Sequence, residues 1–200
     1  MKGPRKFYRA VSVVFAPQFS SVYAFAALSL GSGIETTGFQ LLIAVLFTSL
    51  IPTAALFAQM RRSKIDSNVE ERGDRPALFL TAILSYLAGF VSLRYLGAPF
   101  IFDALMFAYF ANTILAAFIT KYVTKVSIHT WGVTGPSIAI LYSYGIAGFM
   151  VMLVAGSIVA GSRVALGYHT VEQVSLSVLI SIPFTWFVVY VLPTMLPTLF

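Results

Sequence analysis

The chain is 200 residues long, 58% hydrophobic and 10% charged, with no cysteine and a formal net charge of +6. A soluble domain carries roughly 25% charged residues, so the composition points to a membrane protein of one helical domain with no separate soluble module. Disulfides and thiolate chemistry are excluded. The positive balance is assigned to basic residues flanking membrane helices and not to a nucleic-acid footprint.

Met1 to Lys6 resembles the basic start of a signal peptide, but no small-residue cleavage site follows. The first apolar run is therefore read as a retained helix over 10–31. A second is predicted over 38–60, after the Gly/Thr-rich link that carries Glu35. A strongly polar loop, 61–76, holds Asp66, Glu70, Glu71 and Asp74 among arginines. That alternation of sign reads as a solvated, self-paired interfacial loop in preference to a magnesium site. Further helices are predicted over 77–96, over 100–124 with Asp103 as a cap, and over 172–196, closed by Pro193 and Pro197.

Residues 130–161 carry no charge. As one helix they would extend about 48 Å, against a hydrocarbon core of about 30 Å. Glycines interrupt the run, so two short helices, 130–143 and 147–162, are predicted to turn near Tyr144 and Gly145. Both arms then start and finish on one membrane face, which brings His129 and His169 to the same side. The expected fold is an all-α polytopic membrane bundle of six to seven helical segments in a single domain, 1–200. Lys2, Arg5, Lys6, Arg9 and the loop 61–76 place that face in the cytoplasm, with Arg94 the basic residue on the other side.

These two histidines are the only ones in the chain, and each lies in a polar cluster. Imidazole is the side chain suited to proton transfer and nucleophilic attack near neutral pH. The first cluster is Lys125-Val126-Ser127-Ile128-His129, and the four-residue steps from Lys121 to Lys125 to His129 would align all three on one helix face. Ser127 would cap a helix or donate to a phosphate oxygen. The second cluster runs from Ser162-Arg163 through Gly167 to His169, with Glu172 and Gln173 opening the last helix. Arg163 has no acidic residue near it in sequence, and a cation at membrane depth marks a functional site by default. Cations beside histidine suggest an anionic substrate, most simply a phosphate.

Ser162-Arg163-x5-His169 resembles the third signature, SR-x5-H-x3-D, of the type 2 phosphatidic acid phosphatase and vanadium haloperoxidase superfamily. Ser127-Ile128-His129 is similar to its second, PSGH, with Val126 and Ile128 in place of Pro and Gly. The resemblance covers roughly the C-terminal half, from Lys121 onward. The first signature, K-x6-RP, is not present as such: Lys121 or Lys125 would supply its lysine, and its arginine has no clear counterpart. The aspartate four residues after the nucleophilic histidine is Gln173 here.

The resemblance implies a membrane lipid phosphatase acting on a phosphomonoester or diphosphate, isoprenoid or glycerolipid, without metal or cofactor. His169 would attack phosphorus and form a phosphohistidine, and protonated His129 would give its proton to the leaving oxygen. Arg163, Lys125 and Lys121, with Ser127 and Ser162, would hold the phosphoryl oxygens. Gln173 would orient His169 through its carbonyl oxygen without contributing a charge, unless Glu172 takes that place. The alternatives from other classes are a non-catalytic protein that binds or transports a lipid phosphate, and a lipid phosphotransferase. The expected partners are the substrate lipid and the bilayer, with no nucleic acid.

Overall fold

The computed structural model describes residues 3–31, 33–63 and 72–200. Lys2, Lys64, Asp66, Glu70 and Glu71 lie outside the described residues, so the expectations placed on them stop at the sequence. Among the described residues every regular element is helical, and the expected all-α bundle is what forms.

The first apolar run is two helices, not one. α1 (Gly3–Val14) and α2 (Pro17–Leu30) meet at 58°. Pro17 causes the break. A residue before proline is pushed from helical to extended backbone, and Ala16 has φ −62° and ψ 147°. α1 is amphipathic: Ser12 is buried, while Phe7 and Val13 are exposed.

α3 (Gly38–Val45) starts on a capping box between Thr37 and Gln40. It passes through a π-turn, Leu46–Leu50, into α4 (Ile51–Ser63). α5 (Arg75–Tyr95) and α6 (Phe100–Tyr122) follow the prediction within two residues. Asp103 does not cap α6. It is buried and paired with Arg94 at 3.3 Å, because a carboxylate at that depth needs a cation more than the helix needs a cap.

α7 (Ile128–Thr134) is a short helix capped by Ser127. α8 (Ser137–Ala165) is two arms joined at Gly145, whose φ of 63° and ψ of −162° lie in a region essentially restricted to glycine. The arms fold back on each other. A Cβ on Gly148 would meet Ile140, and one on Gly156 would meet Thr134. The chain therefore turns at Gly145 as expected, but the first arm is not the single helix 130–143: it is α7 followed by the start of α8, broken at Gly135 and Pro136. α9 (Val171–Trp186) starts on a Thr170–Gln173 capping box and continues through a π-turn, Phe187–Val191, into α10 (Leu192–Met195).

By length and apolar composition five helical stretches could cross a membrane, among them α8 taken end to end although it turns back at Gly145, and the bent α1–α2 pair would add a broken sixth. The protein is a multi-pass membrane protein. Contacts sort the loops into two ends. At one end Arg75 reaches Val126, Gln59 reaches Asp74 and Arg163 reaches Ser12. At the other Gln40 reaches Leu96, Tyr144 reaches Ala27 and the Phe100 and Tyr142 rings meet. Both histidines lie at the first end. The core between the ends is built on Phe25, Leu28, Leu93, Phe102, Leu105 and Met106, all essentially inaccessible.

Candidate functional site

A Schellman turn brings His169 back to Arg163. Gly167 takes φ 79°, a left-handed value that costs glycine nothing. Its N–H donates to Val164 O, and the Tyr168 N–H donates to Arg163 O at 3.0 Å. The His169 N–H donates to the same carbonyl at 3.3 Å. The five-residue interval between Arg163 and His169 is thus one closed turn, and both side chains face one cavity.

Gln173 determines the tautomer of His169. Its Oε1 accepts the backbone N–H of Thr170 at 3.3 Å, and a backbone N–H can only donate. The same oxygen lies 3.1 Å from His169 Nδ1, so Nδ1 carries the proton and Nε2 presents its lone pair. The Gln173 amide nitrogen donates to Thr124 Oγ1 at 3.4 Å. Glu172 is exposed and makes no such contact, so the glutamine itself takes the orienting position.

Lys121, Lys125 and His129 do not share a helix face. α6 ends at Tyr122, and 123–127 is irregular until Ser127 caps α7. This segment is fixed by its backbone. The Ser127 N–H donates to Ser177 Oγ at 2.9 Å, and Val126 O accepts from Arg75 at 3.1 Å. Those contacts set His129 opposite the second cluster.

Arg163 is 1% exposed. Its guanidinium donates to Ser12 Oγ at 2.6 Å and lies 4.3 Å from the Tyr168 ring centre, so α1 and the turn after α8 share the work of holding it.

Arg9, Ser12, Arg75, His129, Arg163 and His169 together form the polar pole of a cleft of about 680 Å³. Its other walls, chiefly from α2, α4 and α5, are mostly apolar, Phe19, Leu56, Phe57, Leu78 and Phe79 among them, with Gln18, Thr48, Thr53 and Thr113 as polar exceptions.

Of the residues singled out in the sequence, His129, His169 and Arg163 line this cleft, and Gln173 stands behind His169. Lys125 is close enough for its charge to bear on His169. Lys121 is exposed, with its ammonium over the Tyr122 ring. Ser127 is fully buried as the α7 cap, and Ser162 is fully buried with its hydroxyl on Val159 O. These three do not line the cleft.

Three residues of the polar pole, Arg9, Ser12 and Arg75, are not among the sequence candidates: Arg9 counts there as a topology signal, Arg75 belongs to the polar loop 61–76, and Ser12 falls inside the predicted first helix. The signal for Arg75 was Pro76, since proline favours the first turn of a helix and thus places Arg75 at the mouth of α5.

Burial and neighbouring cations lower both imidazoles. His169 falls from 6.5 to about 3, first through burial and then through Arg163, with Lys125 and Arg75 adding to it and the Gln173 contact opposing it. His129 is held well below its ordinary value by burial, Arg163, His169 and Arg75. At neutral pH both are uncharged bases facing guanidinium groups, an arrangement that attracts an anion. No group of three His, Asp or Glu side chains forms a metal-ligand set among the described residues. In comparisons with known proteins, no family model, curated protein or solved structure matches the chain.

Proposed function

We propose that the protein is a membrane phosphatase whose substrate is a lipid phosphate or diphosphate. The observation that carries this reading is the shape of the cleft: two imidazoles and three guanidinium groups at one pole, with apolar walls leading from it into the bilayer region. A soluble phosphate would need the pole without those walls.

In this reading Nε2 of His169 attacks phosphorus. The N–P bond forms as the bond to the lipid oxygen breaks, and His129 protonates that oxygen. Water then attacks the phosphohistidine and gives its proton to His129, and the N–P electrons return to Nε2. Arg75 and Arg163 stabilise the charge spread over the equatorial oxygens, the main requirement of phosphoryl transfer. Arg75-Pro76 places an Arg-Pro pair at this pole, but the residue seven positions before Arg75 is Asn68, so the first signature, K-x6-RP, remains unmatched.

An acid role for His129 is linked to the substrate. The cations that depress its proton affinity are offset by a bound phosphate dianion, so anion binding and protonation favour one another. The cytoplasmic face is the proposed side, because the site end carries Arg5, Lys6, Arg9, Arg61, Arg62 and Arg75, whereas Arg94 at the far end is paired with Asp103.

Phosphate release from a panel of lipid phosphates, compared between the wild type and His169→Ala, tests the proposal. Release by the wild type and none by the variant is expected. Equal release would overturn it. The uncharged Gln173 behind His169 favours a second reading, a lipid-phosphate binding protein without turnover. In that case both proteins bind the lipids and neither releases phosphate. Transfer of phosphate to an added alcohol in place of water would instead identify a phosphotransferase.

A further inference from the structure

The apolar part of the cleft has a floor. From Arg75 to Tyr86 along α5 is eleven residues, about 16 Å of helix, so Tyr86 lies roughly halfway through a hydrocarbon core of about 30 Å. Thr48 and Thr113 also line the cleft, and Ser85 Oγ donates to Phe47 O at 2.6 Å, which sets the π-turn level with Tyr86. The π-turn Leu46–Leu50 carries Thr48, whose hydroxyl is satisfied by Ala44 O at 2.7 Å. Tyr86 also borders a second, smaller cavity of about 60 Å³, lined by Leu105, Tyr109, Asn112, Trp131 and Gly132. Tyr86, Pro17, Thr113 and Ile128 border both cavities. The Tyr86 ring is held against the Tyr109 ring at 5.6 Å between centres. The cleft is bordered toward the bilayer by Phe19 and Phe57, 43% and 56% exposed, so a hydrocarbon chain can enter from the side.

We propose that Tyr86 sets the length of the hydrocarbon tail that the cleft accepts: one tail of about half-bilayer length lies between α2 and α4–α5 with its end against the Tyr86 ring. This rests on the lipid-phosphate reading of the site. A tail that ends at the floor buries its whole length. A longer tail must leave sideways past Phe19 and Phe57, and its extra methylenes gain nothing from the protein.

The test is a series of n-alkyl monophosphates, from hexyl to eicosyl, presented at fixed mole fraction in detergent micelles. Dividing the kcat/KM of each variant by that of the wild type at each length cancels partitioning into the micelle. For Tyr86→Ala, which joins the two cavities, the ratio should be level for short tails and rise about tenfold for the longest, the worth of one to two newly buried methylenes. Tyr86→Phe should keep the ratio level throughout. Thr48→Leu, which fills the floor, should give a ratio that falls with length, and it decides the matter if Tyr86→Ala does not fold. A level ratio in both size-changing variants overturns the proposal. The same series made as alkyl phosphonates, read by thermal stabilisation, separates the two readings. A length break that moves in binding, with no phosphate released from any ester, sinks the phosphatase and leaves the tail floor standing. Binding that is blind to tail length in every protein sinks the floor alone.

Discussion

Nδ1 of His169 lies 3.1 Å from Oε1 of Gln173, one helical turn further on, and the same oxygen closes the capping box of α9. Gln173 therefore directs the Nε2 lone pair toward the cleft but adds no negative charge to steady an imidazolium. Gln173→Leu should lower kcat about a hundredfold, because the tautomer is no longer held. Gln173→Glu keeps the reach, adds the charge and should raise kcat. A carboxylate favours the protonated ring, so in the Glu variant the acid limb of the pH–rate profile should move toward neutrality. A merely structural role for Gln173 would leave that limb where it is.

Arg75 offers a second test. Its guanidinium is buried, holds Val126 O at 3.1 Å and lowers both imidazoles. Arg75→Ala should cut kcat/KM by about two to three orders of magnitude, the scale for removing one preorganised donor from a developing charge. Arg75→Lys should recover only part of this, since an ammonium cannot reach the carbonyl and a phosphate with one planar fork. Kinetics on a single alkyl phosphate are enough. Equal loss in kcat/KM and in thermal stability, with kcat unchanged, would reduce Arg75 to a structural clamp on the 123–127 segment.

The sequence made some of this legible and concealed the rest. The hairpin could be read because a charge-free run too long for one crossing had a glycine at its middle, and Gly145 is where the chain turns. The Arg163–His169 pair could be read because Gly167 falls between them. The break before Pro17 was hidden by unbroken hydrophobicity on both sides, although proline's effect on Ala16 is local and general. Arg75 was hidden by its neighbours: Arg72 and Asp74 make it look like one more loop charge, and only the start of α5 carries it inward. The alignment of Lys125 and His129 with Lys121 failed because it continued the period of α6 past Tyr122, where the helix ends.

Both imidazoles make stability depend on pH in one direction. His169 titrates at about 3 in the fold and at an ordinary 6.5 without it, and His129 is also lowered. Between those values the unfolded chain binds the extra protons. This contribution is therefore complete above about pH 6.5 and is lost as the pH falls toward 3. Thermal unfolding in detergent, followed from about pH 7.5 down to about 4.5, should show a falling Tm, and His169→Asn should flatten that slope. A slope that His169→Asn leaves unchanged would assign the pH dependence to other groups.

The hairpin tests whether the two clusters must meet. Gly156 of the returning arm faces Thr134 of α7, and a Cβ there would come within 2.6 Å of Thr134 Cγ2. Gly156→Ala must push the returning arm away from the C-terminal end of α7, and an overpacked contact of this kind costs about 1–3 kcal/mol. Gly161, on the same arm, has nothing within 4 Å of its Cβ position, so Gly161→Ala should be neutral or slightly stabilising through helix propensity. Gly145→Ala keeps the arm contacts but forces a side chain into the glycine-only region, again at about 1–3 kcal/mol. The three variants separate stability from alignment. Gly156→Ala and Gly145→Ala should both lower Tm, but Gly156→Ala should lose more kcat, because its displacement falls on α7, the helix that carries His129, and that of Gly145 is at the far end of the bundle. Equal kcat in all three, after correction for the folded fraction, would mean that His129 and His169 do not act on the same phosphorus.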